Sequence, residues 1–98
     1  MNIDDWRKEI DEVDKEILKL INKRARLGSE VGVLKAKAGL PIYDREREQA
    51  VLENLCAENE GPLSCDAIIR IFRRIIQETR TVEANSITNI QTQAREIV

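Results

Sequence analysis

Apolar residues recur along the first third of the chain at alternating steps of three and four. One series runs Ile3, Ile10, Ile17, position 24, Val31 and Ala38; the other runs Trp6, Val13, Leu20, Leu27 and Leu34. This is the spacing of a single helix with a long apolar seam. No proline interrupts it, and Asp4 and Asp5 at its start and Lys35 and Lys37 at its end suit the helix dipole. The pattern predicts a helix over 3–38, roughly 50 Å long at about 1.5 Å per residue. The rest of so short a chain cannot cover a seam of that length. A partner helix is implied, most simply from a second copy.

Gly39 and Pro41 mark the end of this helix. Asp44 is a good N-cap for a second helix over 44–59, with Val51, Leu52, Leu55 and Cys56 on its apolar face. Glu60-Gly61-Pro62 breaks the pattern, and Ser64 caps a third helix over 64–84 or beyond, with Ile68, Ile69, Phe72, Ile75 and Ile76 inward. Residues 85–98 read as an extension of that helix, carried by Ile87, Ile90 and Ile97, or as a frayed tail, because β-branched residues and asparagine are weak helix formers. There is no internal repeat, so one domain over 1–98 is expected.

Composition supports the all-α reading. Of the 98 residues, 35% are charged and only 3% aromatic, a profile that argues against a β-sandwich. The 16 basic and 18 acidic residues are intermixed and leave a net charge of −2, so no general attraction to nucleic acid or membrane is expected. No apolar run approaches a membrane span and no signal peptide opens the chain; a cytoplasmic protein is expected. Histidine is missing altogether, which removes Ser-His and Cys-His nucleophile pairs and the commonest metal ligand. Cys56 and Cys65 do not make a zinc site by themselves and read as buried or partly buried free thiols.

Several charges stand where the pattern wants apolar side chains. Position 24 of the first series is Arg24, and a charge in the seam must be paired, snorkel, or meet a ligand. Lys35 lies eleven residues on, pointing within about 20° of Arg24 and roughly 16 Å along the axis. Arg7 stands about 25 Å before Arg24, too far for one small molecule to bridge within one helix. If Arg7 joins the same site, it must come from a second chain. In the third helix the stripe Phe72, Ile76 continues to Thr79 and Glu83, so the core face turns polar near its end. Ala25, Gly28, Ser29 and Gly32 are small residues in mid-helix, where glycine costs about 1 kcal/mol against alanine; close approach of another helix is the expected return.

These residues together resemble the all-helical class of chorismate mutase. The stretch WRKEIDEVDKEILKLINKRARLGSEVGVLKAK is similar to that family's first helix, PIYDREREQ to the segment opening its second, and IFRRIIQETRTVE to its third, with a Ser or Thr followed four residues later by Gln or Glu. The resemblance implies an intertwined helical homodimer with a long shared first helix, and the concerted rearrangement of chorismate to prephenate in phenylalanine and tyrosine synthesis, with no cofactor and no metal. Carried over residue by residue, it implies that Arg24 binds one carboxylate and Arg7 of the partner subunit the other. Lys35 reaches a carboxylate and the ether oxygen. Glu48 and the backbone around Asp44 hold the ring hydroxyl, Arg47 lines the site, and Thr79 helps hold a carboxylate. Arg45 and Glu46 stay in solvent.

At position 83 the family has Gln or Glu. A glutamate donates a hydrogen bond only when protonated, so Glu83 is expected to sit partly desolvated with a raised pKa, against the opposing effect of Lys35. Two other readings are compatible with these residues: an isochorismate pyruvate lyase, or a mutase-like regulatory or binding domain trimmed from a fused pathway enzyme.

Overall fold

A computed structural model describes residues 1–97, with side chains up to Ser86. Three helices follow one another: α1 Ile3–Lys37, α2 Arg45–Glu58 and α3 Cys65–Ile97. There is no strand among the described residues. The helical path of α3 runs on past position 84; the side chains of Ile87, Ile90 and Ile97 lie outside the described residues.

Local chemistry sets each boundary. Asn2 caps α1 in a reciprocal arrangement with Asp5: each side chain accepts the other's backbone N–H, at 3.0 and 3.1 Å. At the other end Gly39 takes φ +69°, and the N–H groups of Gly39 and Leu40 return to the carbonyls of Ala36 and Lys35. This six-to-one closure needs a left-handed residue, which glycine supplies without a Cβ clash. Asp44 caps α2 by accepting the Arg47 N–H at 3.0 Å, and Ser64 caps α3 by accepting that of Ala67 at 3.1 Å.

The turn between α2 and α3 corrects one expectation. Cys56 and Cys65 are not free thiols; they form a disulfide, with Cα atoms 5.2 Å apart. The turn folds the end of α2 back onto the start of α3. Asn59 holds it, accepting from the Gly61 N–H and donating to the Leu63 carbonyl. The turn brings the two positions within the separation a disulfide needs, which a count of residues between them does not reveal.

α3 packs against both α1 and α2, whereas α1 and α2 do not pack on each other. The face of α1 turned to α3 is the small-residue one. Gly32 is buried and Ala25, Gly28, Ser29 and Val33 are half-buried. A Cβ built on Gly28 would lie 2.4 Å from the Thr79 methyl group, and one on Gly32 would lie 3.1 Å from the Glu83 Cβ, so the backbones approach where side chains would keep them apart. The Ser29 and Ser86 hydroxyls meet at 3.1 Å across the same contact.

The long apolar seam of α1 is bare. Ile3, Trp6, Ile10, Val13, Ile17, Leu20, Leu27 and Leu34 are all exposed, Trp6 to 57%. Among the described residues the core is thin: Leu52 and Ile76 are the apolar side chains below a tenth exposed, at 7% and 8%. The radius of gyration is 17.5 Å, against about 13 Å for a compact domain of this length. By itself the chain leaves the apolar seam of α1 in water.

Candidate active site

A cleft of about 260 Å³ opens where α3 lies between α1 and α2. Each helix contributes to it. Arg24 and Lys35 come from α1 on either side of Gly28, which lines the cleft with them. Arg47 and Glu48 come from the first turn of α2, just past the Asp44 cap, which also lines the cleft. Thr79, Arg80 and Glu83 come from one face of α3, over a floor that includes Ile76. Leu27, Val31, Ile42 and Val51 supply apolar walls.

The polar contacts are specific. Arg24 Nη1 donates to Thr79 Oγ1 at 2.7 Å, and the Thr79 hydroxyl donates in turn to the Ile75 carbonyl at 2.9 Å. Arg24 is therefore not half of an arginine–carboxylate pair; its remaining N–H groups are available to an incoming anion. Lys35 Nζ donates to the Ile42 carbonyl at 3.0 Å, tying the 38–44 connection to α1. Glu48 accepts from the Arg80 guanidinium, which also stacks over the Tyr43 ring, 4.5 Å from its centroid.

Burial raises the pKa of Glu83. Lys35, Arg24 and Arg80 act against this and Glu48 adds to it, with burial the largest influence. A carboxyl so placed can hold its proton at a higher pH than an exposed one and act as a hydrogen-bond donor.

Of the residues singled out from the sequence, Arg24, Lys35, Asp44, Arg47, Glu48, Thr79 and Glu83 all line this one cleft. Thr79 is buried, at 6% exposure. Arg47 reaches the cleft while remaining exposed. Arg7 does not reach it; within its own chain it lies beside Asp4, at 3.7 Å, in open solvent. Arg45 and Glu46 are exposed and outside the cleft. Arg80 was not singled out. It falls four residues after Ile76 on the inward stripe, which is the signal that could have found it.

Four cations and three carboxylates thus surround a partly apolar cleft. Such a site can clamp a small, multiply charged organic anion, orient its hydroxyl groups, and stabilise negative charge on an oxygen. The fold and the cleft define a class: small all-α proteins with a polyionic pocket between helices. Within that class, the chain belongs to the family of chorismate mutase type II, whose model matches residues 6–84.

A chorismate mutase of Methanocaldococcus jannaschii is 34% identical over 88 residues, covering 87% of both chains. A bifunctional chorismate mutase/prephenate dehydratase of Aquifex aeolicus is 41% identical over 81 residues, yet the match covers only 22% of that longer protein. The chain spans about a fifth of the length of several of the curated relatives it matches. Among solved structures, a chorismate mutase from Thermus thermophilus superposes with a TM-score of 0.82 at 41% identity, covering 84% of this chain and 93% of that one.

Proposed function

We propose that this protein is a chorismate mutase, an isomerase that converts chorismate to prephenate, acting as one domain over residues 1–98 in a homodimer of intertwined long helices. The observation that carries this reading is the convergence of Arg24 and Lys35 from α1 with Glu48 from α2 and Glu83 from α3 on one cleft.

The reaction is a concerted pericyclic step, so the protein's task is to fold the enolpyruvyl arm over the ring and stabilise charge on the breaking ether oxygen. In this reading Arg24 holds one carboxylate of the substrate, assisted by Thr79, and Arg7 of the partner subunit holds the other. Lys35 and protonated Glu83 donate to the ether oxygen. Glu48 accepts the ring hydroxyl beside the Asp44 backbone, and Arg47 lines the cleft and helps to position the substrate or Glu48. The bare seam of α1 supports the dimer, since a second copy would cover it and bring the distant Arg7 to the cleft.

We further infer a cytoplasmic location, from the biosynthetic role. In that compartment the Cys56–Cys65 bond would meet a reducing thiol pool; alkylation of free thiols in intact cells measures whether it persists.

The test is the loss of chorismate absorbance with wild type and Arg24→Ala, run in parallel with isochorismate. The proposal expects turnover of chorismate and its near loss in the variant. Turnover of isochorismate alone, or equal rates in the two proteins, sinks it.

A further inference from the structure

Arg80 has no role in the reading above, yet it is the side chain most closely engaged with the α2 wall of the cleft. Its guanidinium pairs with Glu48 Oε1, and the same group lies over the Tyr43 ring, 4.5 Å from the centroid. Both partners of the ion pair are more than half covered, with side-chain exposures of 35% for Arg80 and 24% for Glu48. Two kinds of contact therefore fix one planar group, in a geometry that lysine could not reproduce.

The position of this pair in the fold gives it a consequence. Since α1 and α2 do not pack on each other, the distance from Arg24 and Lys35 to Glu48 is set through α3 and the 38–44 connection. Arg80 ties Glu48 to α3 directly, and through Tyr43 it ties the end of that connection to the same point. Among the described residues it is the polar side chain that joins the first turn of α2 to α3. The pair also forms the partition between the cleft and a second one of about 360 Å³ on its other side, lined by Tyr43, Gln49, Arg73 and Gln77.

We infer that Arg80 is a positioning residue for this reaction, holding one oxygen of Glu48 so that the other faces the substrate hydroxyl, with Tyr43 fixing the guanidinium in place. The inference rests on the proposed mutase activity and adds a residue that acts through Glu48 rather than on the substrate. One oxygen of a carboxylate engaged by an arginine leaves the second with a defined direction; an unpaired glutamate on a helix first turn samples several rotamers.

A double-mutant cycle tests it. Steady-state kinetics with chorismate are measured for wild type, Arg80→Ala, Glu48→Gln and the double variant, with Arg80→Lys, Tyr43→Phe and Tyr43→Leu alongside and folding checked by circular dichroism. Arg80→Ala should lower kcat/KM by about tenfold in the wild-type background and by less than about twofold once Glu48 is Gln. Arg80→Lys should recover only part of the loss, and Tyr43→Phe, which keeps the ring, should lose less than Tyr43→Leu. Should Glu48→Gln turn over too slowly, the same cycle is read by calorimetric binding of prephenate. An equal loss in both backgrounds overturns the inference while leaving the activity intact. No turnover by wild type overturns the proposed function, and this inference with it.

Discussion

The Arg24 guanidinium donates to the Thr79 hydroxyl at 2.7 Å, across a sequence separation of 55 residues. The contact joins the one charged member of the first seam series of α1 to Thr79, a buried polar residue of α3. It sets the direction of the arginine without neutralising it. Arg24→Ala should lower kcat/KM by about 100-fold or more, the scale for losing a charged group aimed at developing or fixed charge. Thr79→Val, which keeps the shape and removes the acceptor, should cost several-fold only. Steady-state kinetics on the two variants check the order; a Thr79→Val loss as large as that of Arg24→Ala would contradict it.

Glu83 carries a pH dependence of known sign. Burial raises its pKa, and Lys35, Arg24, Arg80 and Glu48 are the charged groups that act on it. As a donor it works only while protonated, so activity should be fullest below the raised pKa and fall as pH rises through it. The same sign applies to stability: a carboxyl that binds its proton more tightly folded than unfolded contributes below its unfolded pKa, and that contribution is lost as pH rises through the folded value. Glu83→Gln, a donor at every pH, should flatten the profile of kcat/KM. A wild-type profile with no fall between acid and neutral pH would rule out the protonated donor.

Gly28 should resist substitution although it sits in mid-helix. Alanine there gains about 1 kcal/mol of helix propensity, but its Cβ would meet the Thr79 methyl at 2.4 Å. Thr79 is buried, β-branched and bonded to Arg24, so it cannot swing aside cheaply. Overpacking of this kind costs about 1–3 kcal/mol. Urea denaturation of Gly28→Ala should show a lower midpoint than wild type; a higher one would mean that the helices separate freely.

Site sharing predicts complementation between two inactive proteins. Arg7→Ala and Lys35→Ala homodimers should each lose most activity. After co-refolding at equal concentrations, roughly a quarter of the sites should be intact, because half the dimers are mixed and each has one complete site. Recovery of activity to that level on mixing is the expected reading. Mixtures that stay as inactive as their components argue that each chain builds its own site.

The Cys56–Cys65 bond closes a short loop between two helices. Chain-entropy arguments give about 2.5 kcal/mol for a loop of this length, which lowers Tm by on the order of 10 °C when the bond is absent. A thiol assay on unfolded protein should find no free thiol before reduction and two after, and melting with and without reductant should differ. Identical melting curves would show that the bond does not hold the turn.

The helix boundaries were legible because caps are local. Gly39, Asp44 and Ser64 each act within a turn of themselves, and the helices end within a residue or two of where those signals stand. The polar stripe was legible for a different reason: Arg24, Thr79 and Glu83 break an apolar period, and a broken period shows by itself. What the period could not show was which face of α1 meets α3. It counts apolar side chains, and the buried face is built from Gly28 and Gly32, which have none; their small size, read separately, is what marks this stretch for close approach of a helix. The disulfide escaped because it depends on how a turn bends back, and Arg80 because its partner Glu48 is 32 residues away in sequence. Its place four residues after Ile76 marks Arg80 as inward-facing, but not what it meets there.

The chain measures only 14 Å across its thinnest direction, by Cα positions, with the α1 seam on the outside. Such a molecule has almost no interior of its own. Where the second copy supplies that interior, folding becomes a bimolecular event, and the folded fraction depends on how much protein is present. Dilution then acts as a denaturant. Under that coupling a cell that makes too little of the chain would lose activity faster than in proportion, because scarce subunits would also be unfolded ones.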